Sequence, residues 1–386
     1  MLSPPFAIEE GSKMERKDEA VTLGVSVYPD LRPLEEIAAY VVCAAQHGYT
    51  RVFSSMFSVE GTPEEVLDLF RRLNGVVHKN GMRISLDINP ECMKRFGTAP
   101  DDLSVFHAIG ADILRMDGAY GEDDNLRMLN NPYGMQIEYN ASALTPEAIG
   151  ALVARGVSRE RILACHNFYP QRYTGFRWDK FQAVNKQLQR AGLRIGAFVS
   201  SHAPQTHGVW DAMDGLPTVE RLRDYPADLQ ARILAAAGTT DVFFGNAYAS
   251  DEELEAVHRA LQDGCKHVHV EPVYNLSAVE REILFEFTPH VDMGDSSEWM
   301  WRSRLPRVTY ADKAILPRRH AAKEFVPGDV VMVNDNYKHY AGEVQVVLRP
   351  MVNDGMRNLV ARINEQEMTM FDVIDSFDQV IFDCDS

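Results

Sequence analysis

The runs RISLDI (residues 83–88), DILRMD (112–117) and MQIEYN (135–140) decide how this chain folds. Each is short, built on Ile, Leu, Met or Tyr, and carries a carboxylate at or near its end; most of the chain's other runs of this kind are nearly continuous in apolar residues. Nearly continuous apolar runs belong to parallel strands covered on both faces, whereas strands with one wet face alternate. Working outward, the same rhythm appears in LGVSVY from Leu23 and RVFSSMF from Arg51. It continues in RILACHN from Arg161, RIGAFV from Arg194 and DVFFGN from Asp241.

Helical stretches separate these runs. Thr62-Pro63-Glu64-Glu65 and Thr145-Pro146-Glu147 each offer an N-cap, a proline at the first helical position and first-turn acids. Ser250 heads DEELEAVHRALQDG, with Gly264 as the expected terminus, and Gly48, Gly81 and Gly192 close helices just before the next strand. Eight strand–helix alternations over about 240 residues predict a closed (β/α)8 TIM barrel, an α/β fold. An open doubly wound sheet is the alternative, but no glycine-rich phosphate loop follows the first run.

After about Tyr274 the pattern shifts to short β-type runs, RVTYA, VPGDVVMVND, GEVQVVL, LVARI and DQVIF, with turn signals between them. The expected organisation is an extended or disordered segment over 1–20, a catalytic barrel over 21–276 and a small all-β domain over 277–386. Met14 is an alternative start.

The net charge of −17, from 56 acids against 39 bases, argues against nucleic acid or an anionic membrane as partner. Any phosphate site must then be locally basic. Residues 302–323 reverse the overall sign, with Arg302, Arg304, Arg307, Lys313, Arg318, Arg319 and Lys323 against Asp312. Five scattered cysteines, an odd number, read as reduced thiols. There is no apolar stretch of membrane-spanning length, and residues 1–20 lack an apolar signal core. The location expected is cytoplasmic. No motif speaks to oligomeric state.

Barrel active sites form at the C-terminal ends of the strands. The polar residues there are Tyr28, Asp30, Ser54, Ser55, Asp87, Asn89, Asp117, Glu138, Asn140, His166, Asn167, Tyr169, Ser200, Ser201, His202 and Asn246. Three neighbouring strands thus each contribute one carboxylate: Asp87, Asp117 and Glu138. Paired carboxylates suit glycoside hydrolysis, one protonating the leaving oxygen and the other attacking the anomeric carbon or activating water. A strand-end Asp also serves as an acceptor for loop amides, the competing structural reading.

No metal and no cofactor are expected. Asp87, His166 and His202 lack HxH or HExxH spacing, and the HxH of His267 and His269 follows the eighth strand. Cys165 and His166 are strand neighbours and face opposite ways, so they form no nucleophile pair. The strand ends carry no lysine, which disfavours a Schiff-base aldolase. The loop HNFYPQRYTG (166–175) concentrates His, Asn, two Tyr, Arg and Thr. Tyr faces stack on sugar rings, and Arg172 can clamp an anion bidentately. An ordered loop held by its own hydrogen bonds is the plainer alternative.

At this loop the chain resembles the MupG-type 6-phospho-N-acetylmuramidases, whose signature HNFYPR…TG matches residues 166–175. The likeness extends through LGVSVYP (23–29), RVFSSMF, the Asp87 strand, LRMDGAY (114–120), IEYNAS (137–142) and GLPTVE (215–220), in order. Further on, GDVVMVNDNYKHYAGEVQV (328–346) resembles the family's DN-Y-Y-GE stretch, and WRSR (301–304) a shortened Arg-Ser…Ser-Arg motif. Many ordered motifs over some 330 residues outweigh any single pattern. There are departures. Gly245-Asn246 stands where the family has Gly-Asp, and residues 219–223 read VERLR where it has Leu-Glu-x-His-Arg. Both bear on substrate and rate.

The resemblance implies a TIM barrel followed by a cyclophilin-like domain, and hydrolysis of a 6-phosphorylated N-acetylmuramyl-N-acetylglucosamine disaccharide in cell-wall sugar recycling. Asp117 and Glu138 are the expected catalytic pair, with Asp87 in reserve or orienting. Tyr28, Asn140, His166, Asn167, Tyr169 and Glu220 are expected on the sugar. Arg172, Arg302 and Arg304 are candidates for phosphate or lactyl carboxylate, the last two only if the second domain folds back over the barrel mouth. Two alternatives stand beside this: a sugar-phosphate isomerase or epimerase, and a non-catalytic sugar-phosphate binding protein.

Overall fold

The structure, a computed structural model, describes residues 20–118, 120–209, 214–273, 275–318 and 322–384. Most of the N-terminal extension, with Met14, and Arg319 of the basic segment lie outside the described residues. Eight parallel strands close into a barrel in chain order: β1 (Thr22–Ser26), β2 (Arg51–Ser55), β3 (Arg83–Ile88), β4 (Ile113–Met116), β5 (Gln136–Asn140), β6 (Ile162–Cys165), β7 (Arg194–Val199) and β8 (Asp241–Phe244). Each of the eight predicted runs is a strand, and β1 pairs with β8 to complete the circle.

The helix starts follow from their caps. Thr62 Oγ1 accepts from the Glu65 N–H at 3.3 Å, and Glu65 Oε2 accepts from the Thr62 N–H at 2.8 Å, a reciprocal capping box. Ser250 and Glu253 repeat it. That helix ends at Ala260, short of the expected Gly264.

Side chains alternate along each strand. Leu86 and Ile88, Leu114 and Met116, and Ile137 join the core under the outer helices. Ser85, Asp87, Arg115 and Glu138, of opposite parity, therefore point inside the barrel. The interior is split. Tyr28, Phe53, Cys165, Phe198 and Phe243 cluster with Val209, Leu216 and Ala247, so the β1–β2 and β7–β8 side is filled by apolar groups. The β3–β5 side carries Asp87, Arg115 and Glu138, and Arg51 of β2 and Asp241 of β8 join them in the interior.

The remaining chain is mostly sheet. Five antiparallel strands run in the order Glu271–Pro272, Arg357–Arg362, Asp329–Val333, Val344–Val347 and Met300–Ser303. A second sheet places Gln379–Asp383 between His290–Val291 and Lys266–His269. RVTYA, expected as a strand, lies largely in the helical turn Pro306–Thr309, because Pro306 occupies its first position and donates nothing to a sheet. The sheet region meets the barrel through the turn Glu367–Asp372. Arg232, on the barrel helix Ala227–Ala236, donates to Glu367 at 2.8 and 2.6 Å, and Arg221 and Trp178 reach Asp372.

Candidate active site

Asp87, Arg115 and Glu138 occupy one hydrogen-bonded row across β3, β4 and β5. All three are buried. Arg115 Nη1 donates to Asp87 Oδ1 at 2.7 Å, and its Nη2 donates to Asn167 Oδ1. Glu138 Oε1 instead accepts from Arg51 Nη2 at 2.9 Å, while Arg51 Nη1 donates to Asp241 at 3.1 Å. Arg51 thus ties β2 to β5 and β8 through the barrel centre. Its guanidinium also lies 4.8 Å from the Phe243 ring centroid. An arginine suits this place because it keeps its charge when desolvated.

Asp87 combines burial with a neighbouring guanidinium and two nearby carboxylates. Burial pushes its pKa up, the Arg115 guanidinium pulls it back, and the charges of Asp117 and Glu138 push it up again, to about 6. A carboxyl so placed exchanges a proton near neutral pH. Asp117, one residue past β4, is exposed and anchored through its own N–H to the Ile88 carbonyl at 2.8 Å.

Glu138 is 1% exposed and ion-paired, below the rim on which Asp117 stands. Asp87, held in reserve by sequence reasoning, is the group at the junction of charge and opening.

Several expected sugar contacts have other work. Tyr28 donates its hydroxyl to the Gly245 carbonyl at 2.5 Å and is a packed member of the apolar plug. His166 follows Cys165, which faces inward, and therefore points outward: Nε2 lies 2.8 Å from Asn185 Oδ1, the ring packs on Phe176 and Phe181, and burial lowers its pKa to about 4. Glu220 receives the N–H groups of Tyr173 and Gly175, each at 2.7 Å, and a bidentate contact from Arg223; chiefly that arginine holds its pKa near 2. Arg223 is buried and also donates to the Tyr169 and Gln171 carbonyls. Glu220 and Arg223 together fasten the 166–175 loop. The sequence reading missed Arg223, although a Glu-x-x-Arg step beside an apolar run is the signal of such a pair.

The anion clamps are also occupied. Arg172 is bidentate to Asp224 at 2.7 and 3.0 Å. Arg302 is bidentate to Glu343 at 2.7 and 3.0 Å, and Arg304 reaches Asp295 at 3.1 Å. None of the described ion pairs or hydrogen bonds of Arg302 and Arg304 involves the barrel. Arg307 also reaches Glu343, and Arg318 reaches Glu280, so these four arginines of the basic segment face acids.

What remains open is the β3–β6 side of the mouth. Asn140 Oδ1 accepts from the Ser142 N–H, and its amide NH2 makes no hydrogen bond among the described residues. Asn167 spends only its oxygen, on Arg115. Tyr169 is half-buried close enough to feel the Arg115 charge. A cleft of about 510 Å³ lies alongside, lined by Pro90, Met93, Lys94, Gly97, Thr98, Tyr120 and Gly121 among others. Tyr120 joins it to the carboxylates, because Asp117 and Asp87 both act on its hydroxyl. Lys94 makes no ion pair among the described residues.

Asn246 is buried and clamps two loops. Its Oδ1 accepts from the Ser201 N–H at 2.8 Å, and its Nδ2 donates to the Ser201 carbonyl at 2.9 Å. Leu222 is a core residue.

Comparison with known proteins agrees with this architecture. The model of the N-terminal part of 6-phospho-N-acetylmuramidase matches residues 23–259, and that of the C-terminal part matches 267–383. A solved structure of an uncharacterized B. cereus protein is 32% identical with a TM-score of 0.83, covering 95% of this chain and 100% of its own. A conserved Enterococcus faecalis protein of unknown function is 25% identical with a TM-score of 0.66, covering 95% and 97%. No curated protein has a matching sequence. With both halves matched in order, the chain belongs to the 6-phospho-N-acetylmuramidase family of glycosidases.

Proposed function

We propose that this enzyme hydrolyses a 6-phosphorylated N-acetylmuramyl-N-acetylglucosamine disaccharide, releasing 6-phospho-N-acetylmuramic acid and N-acetylglucosamine during cytoplasmic recycling of cell-wall sugars. The observation that carries the mechanism is the Asp87–Arg115 pair at the charged side of the mouth. Protonated Asp87 gives its proton to the glycosidic oxygen as the C–O bond breaks. Asp117, exposed on the next strand, supplies the second carboxylate, attacking the anomeric carbon or taking a proton from the attacking water. Arg115 sets the acidity of Asp87 and fixes Asn167. The free amides of Asn140 and Asn167 meet sugar hydroxyls or the N-acetyl group, and Tyr169 offers a ring face. Lys94, an unpaired cation on the cleft, is the proposed partner of the 6-phosphate. In so acidic a protein an anion needs such a local charge. The sheet region is the proposed cyclophilin-like domain.

The test is incubation with the phosphorylated disaccharide beside its unphosphorylated form, read by mass spectrometry. Release of both monosaccharides from the phosphorylated form alone is expected. Cleavage of both forms at equal rates removes the phosphate-specific part of the reading, and cleavage of neither removes the reaction.

A further inference from the structure

Away from the mouth, the helices Leu34–Gln46 and Asp251–Ala260 lie side by side at the seam where β1 meets β8. Cys43 and His47 are four residues apart at the end of the first. Asp251 and Glu255 are four apart at the start of the second. That spacing stacks each pair on one helix face, and the two faces meet. Cys43 Sγ lies 2.7 Å from Asp251 Oδ1, and His47 Nε2 lies 3.4 Å from the same oxygen. The three ligand atoms fall within 4.8 Å of one another. On the far side of the ring, His47 Nδ1 lies 3.2 Å from Glu255 Oε2.

We propose that Cys43, His47 and Asp251 bind a zinc-class divalent metal ion, with Glu255 positioning His47. The donor set is a thiol, an imidazole and a carboxylate, which suits a borderline-soft ion of tetrahedral preference. Magnesium and calcium prefer all-oxygen shells. Three protein ligands leave a fourth position for water. On binding, the Cys43 S–H bond breaks as the sulfur–metal bond forms, and the proton passes to solvent with no redox change.

Glu255 separates this cluster from an ordinary patch of surface acids. A metal-bound histidine usually donates its other ring N–H to a carboxylate, which fixes tautomer and orientation. Here Glu255 accepts at Nδ1, and Nε2 is left facing Cys43 and Asp251. A histidine hydrogen-bonded between two carboxylates, with no metal, is the competing state. Sequence spacing does not reveal the site, because Cys43 and Asp251 are 208 residues apart. A metal there would staple the first barrel helix to the last, so binding also raises thermal stability.

The probe is cobalt(II), titrated into the full chain after treatment with a chelator. The expected spectrum has a thiolate-to-cobalt charge-transfer band and the intense visible bands of four-coordination, both erased by zinc(II). Cys43→Ser abolishes the charge-transfer band. Glu255→Ala weakens binding by ~10-fold or more, the usual effect of losing a histidine's orienting carboxylate. In the unmutated protein, zinc protects Cys43 from alkylation as read by peptide mass mapping, a measurement that needs no variant. The proposal is overturned if the band is absent from the unmutated protein, persists in Cys43→Ser, or if zinc leaves Cys43 alkylation unchanged. Any of these leaves the metal-free hydrogen-bonded cluster in its place.

Discussion

Arg115 and Asp87 sit at paired positions on neighbouring strands, and the arginine donates to the carboxylate across 2.7 Å. Burial, opposed by Arg115, places Asp87 at about 6. If Asp87 is the proton donor, its active form is the protonated one, so kcat/KM falls as pH rises above about 6. Arg115→Met removes the positive charge that favours the ionised carboxylate. The alkaline limb then moves to higher pH. A pH–rate profile on the phosphorylated disaccharide checks this, and a limb that stays put in the variant removes Asp87 from the role.

Asp87 and Glu138 are expected to separate by readout. Asp87→Asn lowers kcat by ~10²–10⁴-fold, the usual worth of a general acid, and also lowers Tm, because it takes the carboxylate from buried Arg115. Glu138→Gln acts mainly on stability, because it strips a buried arginine of one counter-charge. Breaking a buried pair costs ~3–5 kcal/mol, and Arg51 retains Asp241, so the lower end applies. Denaturant unfolding of both variants, beside single-turnover rates, decides. A Glu138→Gln protein of normal stability and no activity restores Glu138 to the catalytic pair.

The neighbours His166 and Asn167 face opposite ways, and their variants should diverge. His166→Phe keeps a ring but leaves Asn185 Oδ1 unpaired, costing ~1–3 kcal/mol of stability while KM holds. Asn167→Ala leaves buried Arg115 Nη2 without its acceptor and removes one donor on the opening, so it lowers Tm as well but, unlike His166→Phe, also lowers kcat/KM. Equal loss of activity in both variants contradicts the assignment of faces.

The barrel was legible because its strands are buried on both sides, which writes them as apolar runs. The opening was less so. Parity along β6 already separates His166 from Cys165 and Asn167, yet the loop's composition drew attention to the histidine. The partners of Arg172 and Glu220 were beyond reach. Asp224 lies 52 residues from Arg172, and the Tyr173 N–H lies 47 from Glu220. An arginine in a sequence looks like an available charge. Whether it is spent depends on acids that folding brings to it, as Glu343 is brought to Arg302. The depth of Glu138 was hidden for a related reason: strand ends are not level in a tilted barrel.

Asn246 makes one bond as acceptor and one as donor to the Ser201 backbone. A side-chain amide does both, and an ionised carboxylate only accepts. Asn246→Asp therefore sets a negative oxygen against the Ser201 carbonyl, costing ~1–3 kcal/mol at neutral pH. A protonated Asp can donate, so its folded pKa is raised and the deficit shrinks as pH falls below that value. Tm of the variant against the unmutated protein, measured from neutral to acidic pH, shows the gap closing. A constant gap rules out the clamp.

Arg232 and Glu367 join barrel helix to sheet region, and their pair predicts how acid acts on the protein. Burial works to raise the Glu367 pKa, but the hydrogen bonds from Arg232, helped by His269, outweigh it and bring it to about 2. The folded value lies below the unfolded one, so this stabilisation is fully present above the ordinary carboxylate range. It is lost as pH falls from there toward about 2. Taken at its full span the shift is on the order of 3 kcal/mol. Glu367→Gln gives up that contribution at neutral pH, leaves Arg232 with Asp228, and flattens the acid limb of stability. Denaturant unfolding at a series of pH values, monitored at Trp178 near the contact and by far-ultraviolet dichroism for the whole, checks both the slope and its origin. An acid limb equally steep in the variant places the sensitivity elsewhere, with Glu220 and its Arg223 contact the next pair to test.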